Sequence, residues 1–325
     1  MIILHALLAA AIPTAIYSLL IWWLDRYEKE PLQLILAAFF WGAIPAIALA
    51  VLFEVVLALP VEQSPLGPNA ANWGIAPVVE EVLKALALAG LFIWARGEFD
   101  GPLDGIVYGA LIGFGFSMTE NALYFISYGD VSGLFWVRGV LFGLNHAFFT
   151  SIVGMAIGAV RFRHGVVAQV LAMLGGLTLA ILFHATHNYL TTAFQAAGLV
   201  YSWLVQSTGV LAILLIAVLA WRHELRWMQD ELGDEVRAGI ITAADYHEIT
   251  SSTGRARRQI QALMIGGLPR VRQVRHLHHM ITELAFCKSK QRLADRYQDC
   301  DQADRLRAEI VALRHTLEAN EGVWA

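Results

Sequence analysis

Eight polar side chains of a kind that can do chemistry lie inside apolar runs of this 325-residue chain. They are Glu80, Glu81 and Lys84 in one run, Glu120 and Asn121 in the next, His146 in a third, and His184 and Asn188 in a fourth. An ionisable group in such a run costs several kcal/mol if the run spans a bilayer, so it is retained for a reason. Carboxylates, imidazoles and one ammonium together can accept a proton from water, steady an oxyanion and return a proton to a leaving group. The same carboxylates and imidazoles are also zinc-ligand types.

Spacing supports a common meeting place. Lys84 is i+4 from Glu80 and i+3 from Glu81, so it can pair with either. His184 and Asn188 share a helical face, while His187 points elsewhere. Adjacent Glu120 and Asn121 cannot face one point; Glu120 is aimed at the pocket and Asn121 at a neighbouring helix. At 1.5 Å per residue, Glu80 and Glu120 lie roughly 10 and 9 Å from the outer ends of their runs, His184 roughly 14 Å and His146 roughly 18 Å. Taken singly, Glu80 with Lys84 reads as a structural ion pair, and His146 or Asn188 as interhelical glue. Four runs of alternating direction placing polar groups in one layer point instead to a shared wet pocket. Glu54, alone near the outer end of its run, reads as structural or interfacial. Arg138 reads as a snorkelling side chain, with a site role as the alternative.

The elements that must position these groups are membrane helices. The chain is 57% apolar and 15% charged, against about 25% charged in soluble domains. Apolar runs over 2–23, 32–59, 73–95, 103–126, 134–160, 166–193 and 203–221 are of the length a bilayer core requires, roughly 20 residues. Arg26, Lys29, Arg96, Arg161, Arg163, Arg222 and Arg226 follow alternate runs, while the intervening loops 60–72, 127–133 and 194–202 lack Lys and Arg. This predicts an outside N-terminus and a cytoplasmic C-terminal tail. The first run is read as a retained span, since it lacks the basic n-region of a signal peptide. The expectation is an all-α, polytopic bundle of about seven transmembrane helices over 1–221, with a soluble helical domain over 222–325.

In the tail, helices are predicted over 225–236, 255–264 and 270–318, with a break at Gly266-Gly267-Leu268-Pro269. His276, His278 and His279 lack accompanying ligands and read as a solvated face. Cys287 and Cys300 have neither zinc nor disulfide spacing. Mixed tail charge gives no support for nucleic-acid binding. The lipid bilayer is an implied partner, and oligomeric state is left open.

On these residues the sequence resembles the PrsW family of intramembrane proteases, within a superfamily that includes the CAAX prenyl endopeptidases. The likeness is carried by Asp25-Arg26-Tyr27-Glu28-Lys29-Glu30-Pro31, by Glu80-Glu81-x-x-Lys84, by Asp104-Gly105 through Phe116-x-x-x-Glu120-Asn121, by Asn145-His146, and by His184-x-x-x-Asn188. It covers the chain to about residue 221, and His187 departs from the family's pattern. The resemblance implies an intramembrane endopeptidase of a bacterial cytoplasmic membrane that cuts membrane-anchored polypeptides, such as an anti-sigma-type factor. It assigns Glu80 as general base, tuned by Glu81 and Lys84, with Glu120 sharing the water and His146, His184 and Asn188 holding the water or the oxyanion. Two versions use these residues. One is metal-free. The other binds zinc through Glu80, Glu120, His146 and His184, although no H-E-x-x-H helix is present. No Gly-x-Ser-x-Gly or aspartyl pair occurs, which disfavours those protease classes. A non-catalytic scaffold holding a partner helix is the competing class. A proton-coupled transporter is disfavoured by the lack of inverted repeats.

Overall fold

A computed structural model describes residues 2–24, 30–63, 69–95, 97–99, 101–129, 131–161, 165–251, 253–294 and 300–321, all of whose regular structure is helical. The motif residues 25–29 lie outside the described residues. The chain divides into two compact units, Met1–Ala220 and Trp221–Ala325.

The first unit runs through α1 (Ile2–Leu24), α2 (Leu32–Trp41), a π-helical segment (Gly42–Ala46), α3 (Ile47–Glu62), α4 (Ala70–Gly74), α5 (Ala76–Trp94) and α6 (Pro102–Tyr128). It continues through α7 (Val131–Leu134), a second π-helical segment (Phe135–Leu141), α8 (Asn145–Ala159), α9 (Val166–Ala193) and most of α10 (Gln195–Arg237). Among the described residues, five helical stretches are long enough and contain an apolar run sufficient to cross a membrane: Ile2–Trp23, Leu32–Val61, Val131–Ala159, Val166–Ala193 and Gln195–Arg237, the last with its apolar part ahead of Arg222. The two further runs expected to span, α5 and α6, fall short of that measure, and both carry the ionisable residues: α5 holds Glu80, Glu81 and Lys84 in 19 residues. Pro60 does not end its helix, which continues to Glu62. The run over 134–160 is not one helix. Its first part is π-helical, and a short break at 142–144 precedes α8, so His146 sits in the first turn of a new helix.

Helix α6 is the buried axis of this unit. Pro102 occupies its first turn, Asp104 accepts from the Gly101 N–H at 2.7 Å, and Gly129 in the left-handed region closes it. These are the expected start and stop devices. One face of α6 is a glycine stripe at every fourth residue. A Cβ on Gly105, Gly109 or Gly113 would fall 2.0 Å from the Gly154 carbonyl oxygen, 2.7 Å from that of Thr150, and 2.3 Å from that of His146. Small residues let α6 and α8 meet backbone to backbone, the close packing favoured in lipid. Gly113 thereby fixes how near α8 carries His146 to α6. On the other side, Gly115 lies against the Phe39 carbonyl and Gly42 against that of Ile112. Thr119 donates to the Ala43 carbonyl at 2.7 Å, and Trp41 Nε1 to that of Leu83 at 3.0 Å. Tyr108 donates its hydroxyl to Glu30.

The second unit contains the end of α10, α11 (Ala243–Thr250), α12 (Gly254–Ala294) and α13 (Cys300–Glu321). Met228, Leu232, Ile249, Ile281, Leu284 and Ile310 form its apolar interior. Residues 225–236 are part of α10, and α11 is an element the sequence reading lacked. Its signal is a capping box in which Thr242 and Asp245 satisfy each other's backbone N–H. The break expected over 266–269 is present: Gly267, at φ 63°, is non-helical and divides α12 into two helical parts, and the expected helix over 270–318 is shared between the second of these and α13. Glu235, 3% exposed, accepts from Lys288 at 2.8 Å and from Arg307 at 2.7 and 3.0 Å. Burial pushes its pKa up, but the bonds from Arg307 and Lys288 outweigh this and hold the carboxyl below its usual range.

Candidate active site

Helices α5, α6, α8 and α9 deliver ionisable groups to one buried cluster. Lys84 is at its centre, fully buried. Its ammonium donates to Glu81 Oε1 at 2.6 Å and Glu80 Oε2 at 3.3 Å, and lies 3.1 Å from His146 Nδ1 and 4.1 Å above the Phe116 ring. Glu81 Oε1 also meets His184 Nδ1 at 2.9 Å, and its other oxygen accepts from Thr150 at 3.4 Å. Across the cluster, His146 Nε2 is 3.0 Å from Glu120 Oε2.

These contacts assign tautomers. An ammonium can only donate, so His146 accepts at Nδ1 and its proton is on Nε2, directed at Glu120. His184 donates from Nδ1 to Glu81, which leaves Nε2 a bare lone pair with no polar partner among the described residues. Aromatic walls hold both rings. Phe149 stacks on His184 at 4.9 Å, Phe116 lies 5.3 Å from His146, and the two imidazoles stand perpendicular with centroids 5.1 Å apart.

Arg138 does not snorkel outward. Its side chain is 23% exposed. The π-helical segment turns it inward, where Nη2 meets Glu120 Oε2 at 2.5 Å, Nε donates to Asn121 Oδ1 at 2.8 Å, and the guanidinium stacks 3.7 Å over Tyr124. Such segments recur at functional sites, where a widened turn re-aims a side chain. A periodicity of 3.6 gives no hint of it. Asn121 also donates to Ser117 at 3.2 Å. A cavity of about 400 Å³ opens beside His146, walled by Arg138, Asn121, Tyr124, Asn145 and His187 among others. His187 faces this cavity and meets Ser202 Oγ at 2.6 Å and Asn145 Nδ2 at 3.3 Å.

Asn188 is not brought to the cluster. Its amide donates to the Asn72 carbonyl at 2.9 Å, tying α9 to α4. Glu54, read as structural or interfacial, has Oε1 buried without a hydrogen-bond partner among the described residues.

The donor set suits a metal ion. One ligand atom from each of Glu80, Glu81, His146 and His184 lies within 4.8 Å of all the others. Glu120, a candidate ligand by the resemblance, is not in that quartet; it pairs with Arg138 and lies 3.0 Å from His146 Nε2. Mixed carboxylate and imidazole donors are zinc-type ligands.

Buried carboxylates and imidazoles converging among apolar helices make a candidate hydrolytic site. A sequence model described as PrsW family intramembrane metalloprotease matches residues 30–243. Protease PrsW of Bacillus subtilis (strain 168) is 31% identical over 191 residues, 58% of this chain and 84% of the relative. Protease PrsW of Geobacillus kaustophilus (strain HTA426) is 29% identical over 174 residues, 54% and 74% of the two chains. That of Clostridioides difficile (strain 630) is 24% identical over 220 residues, 67% and 87% of the two. No solved structure matches. The chain belongs to the PrsW family of intramembrane metalloproteases.

Proposed function

We propose that this multi-pass protease hydrolyses a peptide bond of a membrane-anchored polypeptide, an anti-sigma-type factor being the regulatory example, and that Glu80 is its proton acceptor. One observation carries the reading: Glu80 offers Oε2 to Lys84 while no described residue engages Oε1, in a quartet of donors where His184 Nε2 is also unengaged. Glu80 takes a proton from water as the water attacks the scissile carbonyl. The oxyanion is met by the Lys84 ammonium, and the proton passes to the leaving amine, so that acid and amine are the products. Glu81 orients His184 and holds Lys84 in place. Glu120 orients His146.

When bound, a zinc ion polarises the carbonyl and acidifies its water; Glu80, Glu81, His146 and His184 would hold it. A metal-free second reading is favoured by one contact: the Lys84 ammonium stands among the same atoms, 2.6 Å from Glu81 and 3.1 Å from His146. Lys84 meets the oxyanion in the metal-free reading, and a bound zinc ion would require it to leave these atoms.

Seven spans are part of the proposal, with α5 and α6 crossing alongside the five apolar stretches. So are an outside N-terminus and a cytoplasmic domain over 222–325, both supported by the alternation of Lys and Arg between loops. The test is cleavage of single-span reporter helices in liposomes by wild type, Glu80→Gln and His184→Ala, at matched folding. Loss in both variants is expected, and retained cleavage in Glu80→Gln sinks the assignment. Metal content measured before and after a chelator, in the same preparation, separates the two versions.

A further inference from the structure

Every large apolar side chain that the second unit exposes, among the described residues, falls in one nine-residue stretch of α12: Ile260, Leu263, Met264, Ile265 and Leu268. Met264 is 83% and Leu268 66% exposed. Elsewhere in this unit the helices bury their apolar faces. A concentrated apolar patch on an otherwise well-covered helical unit marks an interaction site.

Along the stretch of chain that carries it, the charge has one sign. From Gly254 to Thr282 the chain carries six arginines, Arg255, Arg257, Arg258, Arg270, Arg272 and Arg275, and no Asp or Glu. Three have structural duties: Arg255 bonds Thr282 and the Ile249 carbonyl, Arg258 faces Glu248, and Arg270 bonds the Leu317 carbonyl. Arg257 and Arg272 are exposed. Arg257 precedes Ile260 by three residues and Met264 by seven, the spacing of one helical face. Arg272 follows Leu268 by four. The kink at Gly267 falls within the patch, with Leu268 just beyond the bend.

We infer that this stretch of α12 inserts into the surface of an anionic lipid bilayer, with Ile260, Leu263, Met264, Ile265 and Leu268 among the acyl chains and Arg257 and Arg272 at the headgroups. An apolar centre with a basic border matches an interfacial membrane contact, in which burial and attraction to anionic headgroups add. A nucleic acid would match the arginines but leave the apolar centre in water. The lipid surface is always at hand, because the second unit begins at Trp221, where an apolar stretch of α10 ends. The patch lies beyond residue 243, where the family match stops, so this role is separate from hydrolysis.

The test uses the full chain in liposomes, with Cys287 and Cys300 replaced by Ala and a bimane fluorophore on Met264→Cys or, as an exposed control on α13, on Ala308→Cys. Quenchers are doxyl-labelled lipid and aqueous iodide. In vesicles containing phosphatidylglycerol, position 264 is quenched by the lipid and protected from iodide, and position 308 shows the reverse. Phosphatidylcholine alone, or the pair Arg257→Glu and Arg272→Glu, weakens the lipid quenching, by about fivefold for each arginine lost. Circular dichroism confirms that the charge variants keep their helix content. Iodide access at 264 equal to that at 308 overturns the inference. So does a Met264→Cys disulfide between chains without lipid quenching, which would assign the patch to a second copy. Binding of a soluble polyanion in place of lipid quenching overturns it too.

Discussion

Two buried ionic networks in this molecule look alike and differ in what they leave unused. In the second unit, Glu235 takes bonds from Lys288 and Arg307, and both oxygens are engaged. That network is closed and ties α10, α12 and α13 together. In the membrane unit, Lys84 joins Glu80, Glu81 and His146, yet His184 Nε2 and Glu80 Oε1 face no described partner, and a cavity opens beside His146. Closed networks hold a fold; open ones retain the lone pairs that chemistry uses.

The largest test of that contrast is Glu80→Gln. It is expected to lower reporter cleavage by about 10²–10⁴-fold, whereas Glu235→Gln leaves cleavage per folded molecule near wild type. Equal losses would erase the distinction. Next, Glu235→Ala is expected to loosen the second unit by about 2 kcal/mol, read as faster hydrogen exchange in α12 and α13 with the cluster around Lys84 unchanged. Because the Glu235 carboxyl is held below its usual range, its contribution is present above that range and is lost as pH falls through its lowered pKa. Arg138→Lys keeps the charge but loses the fork that spans Glu120 and Asn121. Its cleavage is expected to fall about tenfold, and a full-rate variant would show that the π-helical segment serves packing alone.

The smallest effect concerns His278, whose pKa is lowered to about 4 by burial and then by Arg255, with Arg258 adding and Asp245 opposing; Glu248 stands 3.6 Å away. The unfolded chain binds this proton at a higher pH than the folded one does. Stability is therefore complete above about pH 6.5 and declines as pH falls toward 4. In His278→Leu the apparent melting temperature of the second unit, followed by hydrogen exchange, should vary less over that window.

Much of the site was legible because ionisable residues are conspicuous in apolar runs: Glu80, Glu81, Lys84, Glu120, His146 and His184 stand out by type alone, and the family match agrees with the resemblance they carry. What spacing could not supply is which partner wins. Asn188 shares a face with His184, but the Asn72 carbonyl claims it. Glu120 has the chemistry of a ligand, but Arg138 holds it. Arg138 was misjudged because span-end arginines usually snorkel, and a π-helical turn follows no rule of helical periodicity. In the second unit, α11 was missed because eight residues with mixed polarity carry a weak repeat, although the Thr242–Asp245 cap was there to be seen.

The glycine stripe of α6 bears on how a substrate gets in. Side chains between helices act as springs, since they can change rotamer and let the helices slide. Gly105, Gly109 and Gly113 put bare backbone against α8, with no such spring between them. The pair is a chassis: sliding one helix along the other would mean moving backbone past backbone, so a substrate meets a frame that keeps its spacing.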